Sequence, residues 1–284
     1  MSAQIIDGKK IAQEIKTELK SQIADFSRSP ELAIIMVGND YASDIYVRNK
    51  QKAAHEIGIV SQFHHLDEDI SEEELLKIIN QLNEDEEVNG IIVQLPLPEH
   101  LNTHRVINAI SPIKDVDGFH PLNTGKLQNN DKPYFVAATP LGIMKLLERS
   151  CADLCGKNVV IIGASLIVGR PLATLLLNQG CTVSITHSKT ADISAYTKNA
   201  DIVVAACGVA NLLKAEQIKE GAILIDVGIN RLENGKICGD IDFDDVKEKA
   251  GAITPVPGGV GPMTIAMLLH NTLEAYKLQN ASKK

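Results

Sequence analysis

Apolar runs of strand length alternate with segments of helical periodicity along almost the whole chain, and this alternation constrains the fold more than any other feature. An apolar run bounded by turn residues predicts a buried strand, whereas apolar residues three or four apart predict an amphipathic helix. The predicted strands are residues 32–37, 60–65, 90–95, 159–162, 182–186, 202–206 and 223–227. The predicted helices are residues 11–23, 43–56, 72–83, 140–149 and 263–276. Strands separated by helices indicate an α/β fold with parallel sheets.

A stretch rich in Pro, Gly, Asn and Asp, residues 111–138, interrupts this alternation. We interpret it as the link between two domains, partly lining a cleft between them. Residues 1–138 are expected to form the first domain and residues 139–262 the second. The final helix, within residues 263–284, is expected to pack back on the first domain.

Composition excludes several classes of function. The 284 residues carry a formal net charge of −8 and a pI near 5.5, which argues against binding to nucleic acid or anionic membranes. The longest uncharged apolar run, residues 158–169, is too short to span a bilayer. His100 and His104 have helical spacing but no third ligand, so we expect no metal site. The odd number of cysteines, five, lacks zinc-type pairing and favours reduced thiols in the cytoplasm.

Residues 255–264 form a segment that core packing does not require. Three glycines and three prolines among these residues alternate permissive with restricted backbone, which favours a loop of fixed shape. Pro262 suits the first turn of the helix that follows, where the missing N–H costs nothing. Such a loop lets a ligand approach the backbone closely.

Residues 157–171 read as a strand, a tight glycine turn and the start of a helix. Backbone N–H groups at such a helix N-terminus attract a pyrophosphate, so the segment indicates a Rossmann-type dinucleotide site. The spacing departs from Gly-x-Gly-x-x-Gly after Gly163, because Ser165 replaces the second glycine and Gly169 comes one residue late. An ordinary strand-to-helix turn remains the alternative.

The strand at residues 182–186 lies where the ribose-binding carboxylate of an NAD site is expected to follow. Here Ser188 and Lys189 follow instead. A hydroxyl group and an ammonium group favour a 2′-phosphate, so this segment predicts NADP rather than NAD. A solvated loop is the alternative.

Four polar residues of the first domain are candidates for chemistry. Tyr46 and Lys50 share one face of a predicted helix, and Gln94 lies at the carboxyl end of a predicted strand, where ligands bind in open α/β sheets. Asp117 follows a turn and could accept hydrogen bonds from an amino-heterocycle. An exposed helical face for the first pair and an Asx-turn for Asp117 remain alternatives.

In combination, these motifs resemble the bifunctional methylenetetrahydrofolate dehydrogenase/methenyltetrahydrofolate cyclohydrolase family over residues 7–278. The motifs that carry the resemblance are Tyr46-x-x-x-Lys50, Gly90-Ile-Ile-Val-Gln94-Leu-Pro-Leu-Pro98, Lys114-Asp-Val-Asp117-Gly118, the Gly163 loop and Pro257-Gly-Gly-Val-Gly-Pro-Met-Thr264. The resemblance implies an N-terminal α/β catalytic domain and a C-terminal Rossmann-type NADP-binding domain. It also implies a homodimer that oxidises 5,10-methylenetetrahydrofolate with NADP⁺ and hydrolyses the methenyl product to 10-formyltetrahydrofolate.

The resemblance further implies roles for individual residues. Lys50 would handle protons and activate water, Gln94 would tune Lys50, and Tyr46 would flank the folate ring. The residues implied to bind the folate substrate are Tyr46, Gln94, Asp117, Gly259 and Pro262. The residues implied to bind the cofactor are Gly163, Ala164, Ser165, Gly169, Ser188, Lys189 and Ile229.

The chain departs from the family pattern at two positions. Ala164 stands where many relatives carry Arg, and Ala138 stands where many carry Cys. Two alternatives stay open: a shikimate-dehydrogenase-like NADP oxidoreductase, which predicts no role for Gln94, and a non-catalytic dinucleotide sensor. A sensor would be expected to have lost Lys50 or Asp117, and both are present.

Overall fold

The protein is described here by a computed structural model that covers residues 2–151 and 153–281. Its strands are β1 Gln4–Ile5, β2 Glu31–Val37, β3 Val60–Leu66, β4 Gly90–Val93, β5 Asn158–Ile162, β6 Thr182–Thr186, β7 Ile202–Ala205, β8 Ile223–Asp226, β9 Asn230–Arg231, β10 Ile237–Cys238 and β11 Ala252–Ile253. Its helices are α1 Gly8–Ala24, α2 Tyr41–Ile57, α3 Glu72–Glu84, α4 Thr103–Ala109, α5 Pro121–Gln128, α6 Ala138–Ser150, α7 Gly169–Asn178, α8 Ser194–Thr197, α9 Phe243–Val246 and α10 Val260–Ala281.

The chain divides into two compact units. The three-stranded unit contains Gln13–Ala138 and the final segment from Ile265, and the six-stranded unit contains the chain up to Ala12 together with Thr139–Thr264. The expected division differs from this one at the N-terminus, because β1 pairs in parallel with β11 and so places the first residues in the six-stranded unit. Of the predicted final helix, residues 282–284 lie outside the described residues.

The three-stranded unit is built on a parallel sheet in the order β3-β2-β4. Strand β2 lies in the middle and is buried along almost its whole length, as its unbroken apolar run predicts. Helix α2 ends where the sequence places its end, at Gly58, whose φ of 90° lies in the left-handed region that glycine adopts without strain. Helix α3 begins with a capping box between Ser71 and Glu74.

The six-stranded unit contains a fully parallel sheet in the order β1-β11-β8-β7-β5-β6. After β5 the chain adds β6 on one side and β7 on the other, so the strand order reverses next to β5. In open parallel sheets, ligands bind beyond the carboxyl ends of the strands at this reversal. The sheet therefore directs the segment after Ile162, the predicted dinucleotide loop, to the position where a nucleotide binds.

The segment 111–138, which we interpreted as a link, is instead an ordered part of the three-stranded unit. It contains α5, and Asp115 forms a parallel bridge with Ile91 of β4. Asn271 of α10 is 3% exposed, and its side-chain amide donates to the carbonyl oxygens of Val116 (2.8 Å) and Val136 (2.9 Å). The segment lacks periodicity because these polar contacts, rather than an apolar stripe, hold it in place.

We expect Asn271→Ala to lower the free energy of unfolding by about 1–3 kcal/mol, because two buried carbonyl groups lose their donor. The measurement is urea-induced unfolding followed by circular dichroism. Asn280→Ala is the matched control on the same helix, since Asn280 donates to the carbonyl oxygen of Tyr276 in its own helix. Equal stability of the two variants would contradict the role of Asn271.

Candidate active site

Lys50 and Gln94 form the centre of the polar cluster in the three-stranded unit. Helix α2 carries Lys50, which is only 9% exposed, and Gln94 follows β4 directly. Lys50 Nζ donates to Gln94 Oε1 at 3.0 Å, and Gln94 Nε2 donates to the Leu95 carbonyl at 2.8 Å, which fixes the orientation of the amide. A neutral amide holds the amine without neutralising its charge, and the amine has two further hydrogens for a ligand or water.

Tyr46 lies one helical turn before Lys50 and is half-exposed. Burial of its hydroxyl group raises the pKa of Tyr46, so the phenol stays neutral and polar at physiological pH. Tyr41 and Ile45 of the same helix are also exposed. Of these side chains, Tyr46 lies one turn from the buried amine, and its exposed ring offers a surface on which a planar ring can stack.

Asp117 is the third polar member of the cluster. Burial raises the pKa of the Asp117 carboxyl group, and the charge of Lys50 opposes that rise, so the two groups interact electrostatically. The structure thus brings Lys50, Gln94 and Asp117 together, although they lie far apart in the chain. A cluster of one amine, one amide and one carboxyl group can donate protons to a heterocycle and accept them from it.

Asp115, which sequence reasoning missed, holds the loop that carries Asp117. It is 1% exposed and accepts hydrogen bonds from the backbone N–H groups of Phe119 (3.2 Å) and His120 (2.9 Å) and from Asn123 Nδ2 (2.8 Å). Burial raises the pKa of the Asp115 carboxyl group to about 7. The sequence offers one signal for a role of Asp115, because two aspartates precede Gly118 in the segment Asp115-Val-Asp117-Gly118. The same pattern also fits an exposed turn.

The predicted dinucleotide loop packs backbone against backbone at two glycines. Gly163 has a φ of 123°, and a Cβ atom there would lie 2.1 Å from the Ala206 carbonyl oxygen. A Cβ atom on Gly169 would lie 1.9 Å from the Gly163 carbonyl oxygen. Ser165 accepts a hydrogen bond from the Val168 N–H at 3.1 Å just before α7 begins. The loop leaves no room for side chains at either glycine, and its close turn at a helix N-terminus fits a pyrophosphate.

The other predicted cofactor residues lie at exposed positions. Ser188 and Lys189 follow β6 in a turn that is closed by a hydrogen bond from the His187 N–H to Thr190 Oγ1 (3.0 Å). Ile229 follows β8 and is also exposed. The Ala164 carbonyl accepts a hydrogen bond from Arg170 Nε, so a guanidinium group lies next to Ala164. These positive groups are compatible with a bound phosphate.

The predicted substrate loop, residues 255–262, is held by the start of α1. The Lys9 N–H donates to the Gly258 carbonyl at 2.8 Å. A Cβ atom on Gly8 would lie 2.0 Å from the Gly259 carbonyl oxygen, so the two backbones are in direct contact. Pro262 falls in the first turn of α10, as its lack of an N–H predicts. The loop therefore has a fixed backbone.

The described residues contain neither a metal-binding cluster nor a membrane-spanning helix. No group of three or more His, Cys, Asp or Glu side chains within residues 2–151 and 153–281 could hold a metal ion. No helix in that part of the chain is long and apolar enough to cross a membrane.

Models of known protein families match both units of the chain. The catalytic domain of tetrahydrofolate dehydrogenase/cyclohydrolase matches residues 6–117, and its NAD(P)-binding domain matches residues 137–280. The first match contains Lys50, Gln94 and Asp117, and the second contains the dinucleotide loop.

Individual relatives are similar over nearly their whole length. The bifunctional protein FolD of Aquifex aeolicus is 56% identical over 279 residues, which cover 97% of this chain and 96% of that protein. The crystal structure of the bifunctional FolD enzyme from Campylobacter jejuni is 52% identical, with a TM-score of 0.95 and coverage of 98% and 99%. The FolD crystal structure from Trypanosoma brucei, in complex with NADP cofactor and an inhibitor, is 39% identical, with a TM-score of 0.94 and 98% coverage of each chain.

The raised pKa of Asp115 predicts a pH dependence of stability. The folded protein binds this proton more tightly than the unfolded chain, so the resulting stabilisation is complete below about pH 4 and is lost as the pH rises through about 7. We expect the stability of the wild type relative to Asp115→Asn to fall across this range, as measured by urea unfolding. Asp131→Asn, an exposed carboxylate in the same unit, is the control. A difference between wild type and Asp115→Asn that does not vary with pH would contradict the assignment.

Proposed function

The chain belongs to the tetrahydrofolate dehydrogenase/cyclohydrolase family, and we propose how its residues divide the two reactions. It is a bifunctional enzyme that oxidises 5,10-methylenetetrahydrofolate with NADP⁺ and hydrolyses the methenyl product to 10-formyltetrahydrofolate. The observation that carries this conclusion is the Lys50–Gln94 pair beside Asp117, in a chain that matches bifunctional relatives from end to end.

The six-stranded unit binds the cofactor, which supplies the hydride acceptor when it is bound. Gly163, Ala164, Ser165 and Gly169 hold its pyrophosphate against the N-terminus of α7, and Ser188 and Lys189 bind the 2′-phosphate. Ile229 is a further proposed cofactor contact. The close backbone turn at Gly163 and the exposed Lys189 support this assignment. The hydride step itself requires mainly alignment of the two reacting rings.

The three-stranded unit orients the folate. Asp117 accepts hydrogen bonds from N–H groups of the pterin ring, and Tyr46 stacks on the ring and helps to hold Lys50. Gly259 and Pro262 are further proposed substrate-binding residues. The interaction of Asp117 with Lys50 and the exposed ring of Tyr46 support these roles.

Lys50 carries the hydrolytic step. The methenyl carbon is already electrophilic, so a positioned water adds to it and a C–O bond forms. One proton of that water leaves to solvent. The Lys50 ammonium group donates a proton to the ring nitrogen as the C–N bond breaks, and Nζ recovers a proton from the hydroxyl group that becomes the formyl carbonyl. Gln94 sets the position of Lys50 through the 3.0 Å hydrogen bond.

Neither alternative function accounts for these features. A shikimate-dehydrogenase-like oxidoreductase gives no role to Gln94, which here contacts Lys50. A dinucleotide sensor has no need of the combination of Lys50, Gln94 and Asp117. Family membership over both units excludes the first alternative and leaves the second without support.

The protein is further expected to act as a cytoplasmic homodimer that binds neither nucleic acid nor membrane. Five free cysteines support a reducing compartment. Strand β6 is an edge strand of its sheet and exposes Ile185, which supports pairing through the six-stranded unit.

Lys50→Met tests the division of roles. We expect cyclohydrolase activity to fall by about a hundredfold or more, because the proton carrier is lost, while part of the dehydrogenase activity remains. The measurement follows the decay of methenyltetrahydrofolate and, separately, the formation of NADPH. Lys52→Met, an exposed lysine on the same helix, should keep both activities. A fully active cyclohydrolase in Lys50→Met would refute the role of Lys50.

A further inference from the structure

Two aspartates that the proposed chemistry does not use are buried at the carboxyl end of the six-stranded sheet. Asp226 is the last residue of β8 and is 3% exposed, and Asp240 is 0% exposed. A carboxylate removed from water is stable only when hydrogen bonds replace its hydration. The hydrogen-bond donors to these two carboxylates therefore show which segments the carboxylates hold in place.

Asp226 connects the end of its own strand to the segment around Asp240. Its Oδ1 accepts hydrogen bonds from the backbone N–H groups of Gly228 (3.0 Å) and Asp240 (2.9 Å), and its Oδ2 accepts one from the Ile241 N–H (2.9 Å). A Cβ atom on Gly239 would lie 1.8 Å from Asp226 Oδ2, so only glycine fits beside this carboxylate.

Asp240 extends the connection to the loop after β7. Its Oδ2 accepts hydrogen bonds from the backbone N–H groups of Cys207 (2.7 Å) and Gly208 (3.0 Å), and its Oδ1 accepts one from Asn230 Nδ2 (2.8 Å). Cys207 follows Ala206, whose carbonyl oxygen packs on Gly163 of the dinucleotide loop. Asp240 thus fixes the backbone on which the dinucleotide loop rests.

Ile229 lies between the two carboxylates in the chain. The residue before it, Gly228, donates to Asp226, and the residue after it, Asn230, donates to Asp240. Ile229 itself is 52% exposed, and it is a proposed cofactor contact. Its two neighbours are held by hydrogen bonds to the buried carboxylates, and its own side chain is exposed.

We propose that Asp226 and Asp240 are positioning residues that hold the loops after β7 and β8 in the backbone arrangement that binds NADP. The proposal rests on the proposed function of the six-stranded unit. Neither carboxylate touches the cofactor in this account, because their oxygens are occupied by backbone N–H groups and Asn230. They keep the loop that carries Ile229, and the backbone at Ala206 that contacts Gly163, ordered before the cofactor binds. Binding then does not have to pay the entropy of ordering these segments.

The geometry predicts different tolerance to amide replacement at the two positions. At position 226 both oxygens face backbone N–H groups, so an Asn side chain must direct its own NH₂ group at another donor. At position 240 one oxygen faces the Asn230 side chain, which can rotate and present its oxygen instead. Asp226→Asn should therefore be more damaging than Asp240→Asn.

The test measures binding rather than turnover, by isothermal titration of the full-length protein with NADP⁺ in the absence of folate. We expect Asp226→Asn to raise the Kd for NADP⁺ about tenfold or more, because buried N–H donors lose their acceptor. We expect Asn230→Ala to raise this Kd about threefold, because the loop loses one hydrogen bond to Asp240. Asp245→Asn is the matched control, because Asp245 accepts a backbone hydrogen bond from Ala215 elsewhere in the same unit.

Hydrogen–deuterium exchange and cyclohydrolase activity separate positioning from general damage. In Asp226→Asn the amides of Cys207, Gly208 and Ile241 should exchange faster, while hydrolysis of methenyltetrahydrofolate by the three-stranded unit stays within about twofold of the wild type. If Asp226→Asn does not fold, Asn230→Ala decides the question, because it leaves both buried carboxylates intact.

If Asp226→Asn and Asn230→Ala both bind NADP⁺ with the wild-type Kd and show wild-type amide exchange, the proposal is overturned. Parallel loss of both activities in Asn230→Ala, with faster exchange throughout the chain, would also overturn it, because the role would then be general stability. If the wild type binds NADP⁺ but does not oxidise methylenetetrahydrofolate, the proposed function fails, and the Kd and exchange comparisons still judge the positioning role.

Discussion

Both sites depend on one kind of interaction, the hydrogen bonds that buried aspartate carboxylates accept from backbone N–H groups. Asp115 holds the loop of Asp117, and Asp226 and Asp240 hold the loops at the carboxyl end of the six-stranded sheet. Each carboxylate would be costly in a protein interior without its donors, and each loop would leave N–H groups unsatisfied without its carboxylate. Among the described residues, no buried side-chain nitrogen or oxygen lacks a hydrogen-bond partner. Loop shape and carboxylate burial therefore stabilise each other.

This arrangement suits an enzyme whose chemistry requires little from its side chains. Hydride transfer depends on alignment of two rings, and hydrolysis of a methenyl cation depends on one positioned water and one proton carrier. Lys50 supplies the proton carrier and Gln94 its orientation. The remaining requirement is a rigid backbone at the ligand-binding loops, and glycines with close contacts, such as Gly163 and Gly8, together with the buried aspartates provide it.

The sequence predicts the long elements well and the short ones poorly, for a physical reason. Strand β6 begins and ends at the predicted residues, and the rule that ligands bind at strand ends singles out Gln94. The hydrogen bond between Gln94 and Lys50 was implied only by the family resemblance. Strands β1 and β11 have two residues each, too few to show any periodicity, so the transfer of the N-terminus to the six-stranded unit was not predictable.

The buried aspartates escaped prediction because a polar residue in a loop usually indicates solvent exposure. Asp226 carries one usable signal, since it lies within the apolar run 223–227, which predicts a buried strand. Asp115 lies in a turn and Asp240 follows a glycine, and only the three-dimensional structure reveals the N–H groups that converge on them. A side chain whose partners are mainly backbone atoms leaves little trace in one sequence.

The most direct test of the account is one time course of the purified wild type with 5,10-methylenetetrahydrofolate and NADP⁺. NADPH, methenyltetrahydrofolate and 10-formyltetrahydrofolate would be followed together. We predict that NADPH and 10-formyltetrahydrofolate rise in step while little methenyl intermediate accumulates. Absence of NADPH, or NADPH formation matched by an equal and lasting accumulation of methenyltetrahydrofolate, would contradict a bifunctional enzyme.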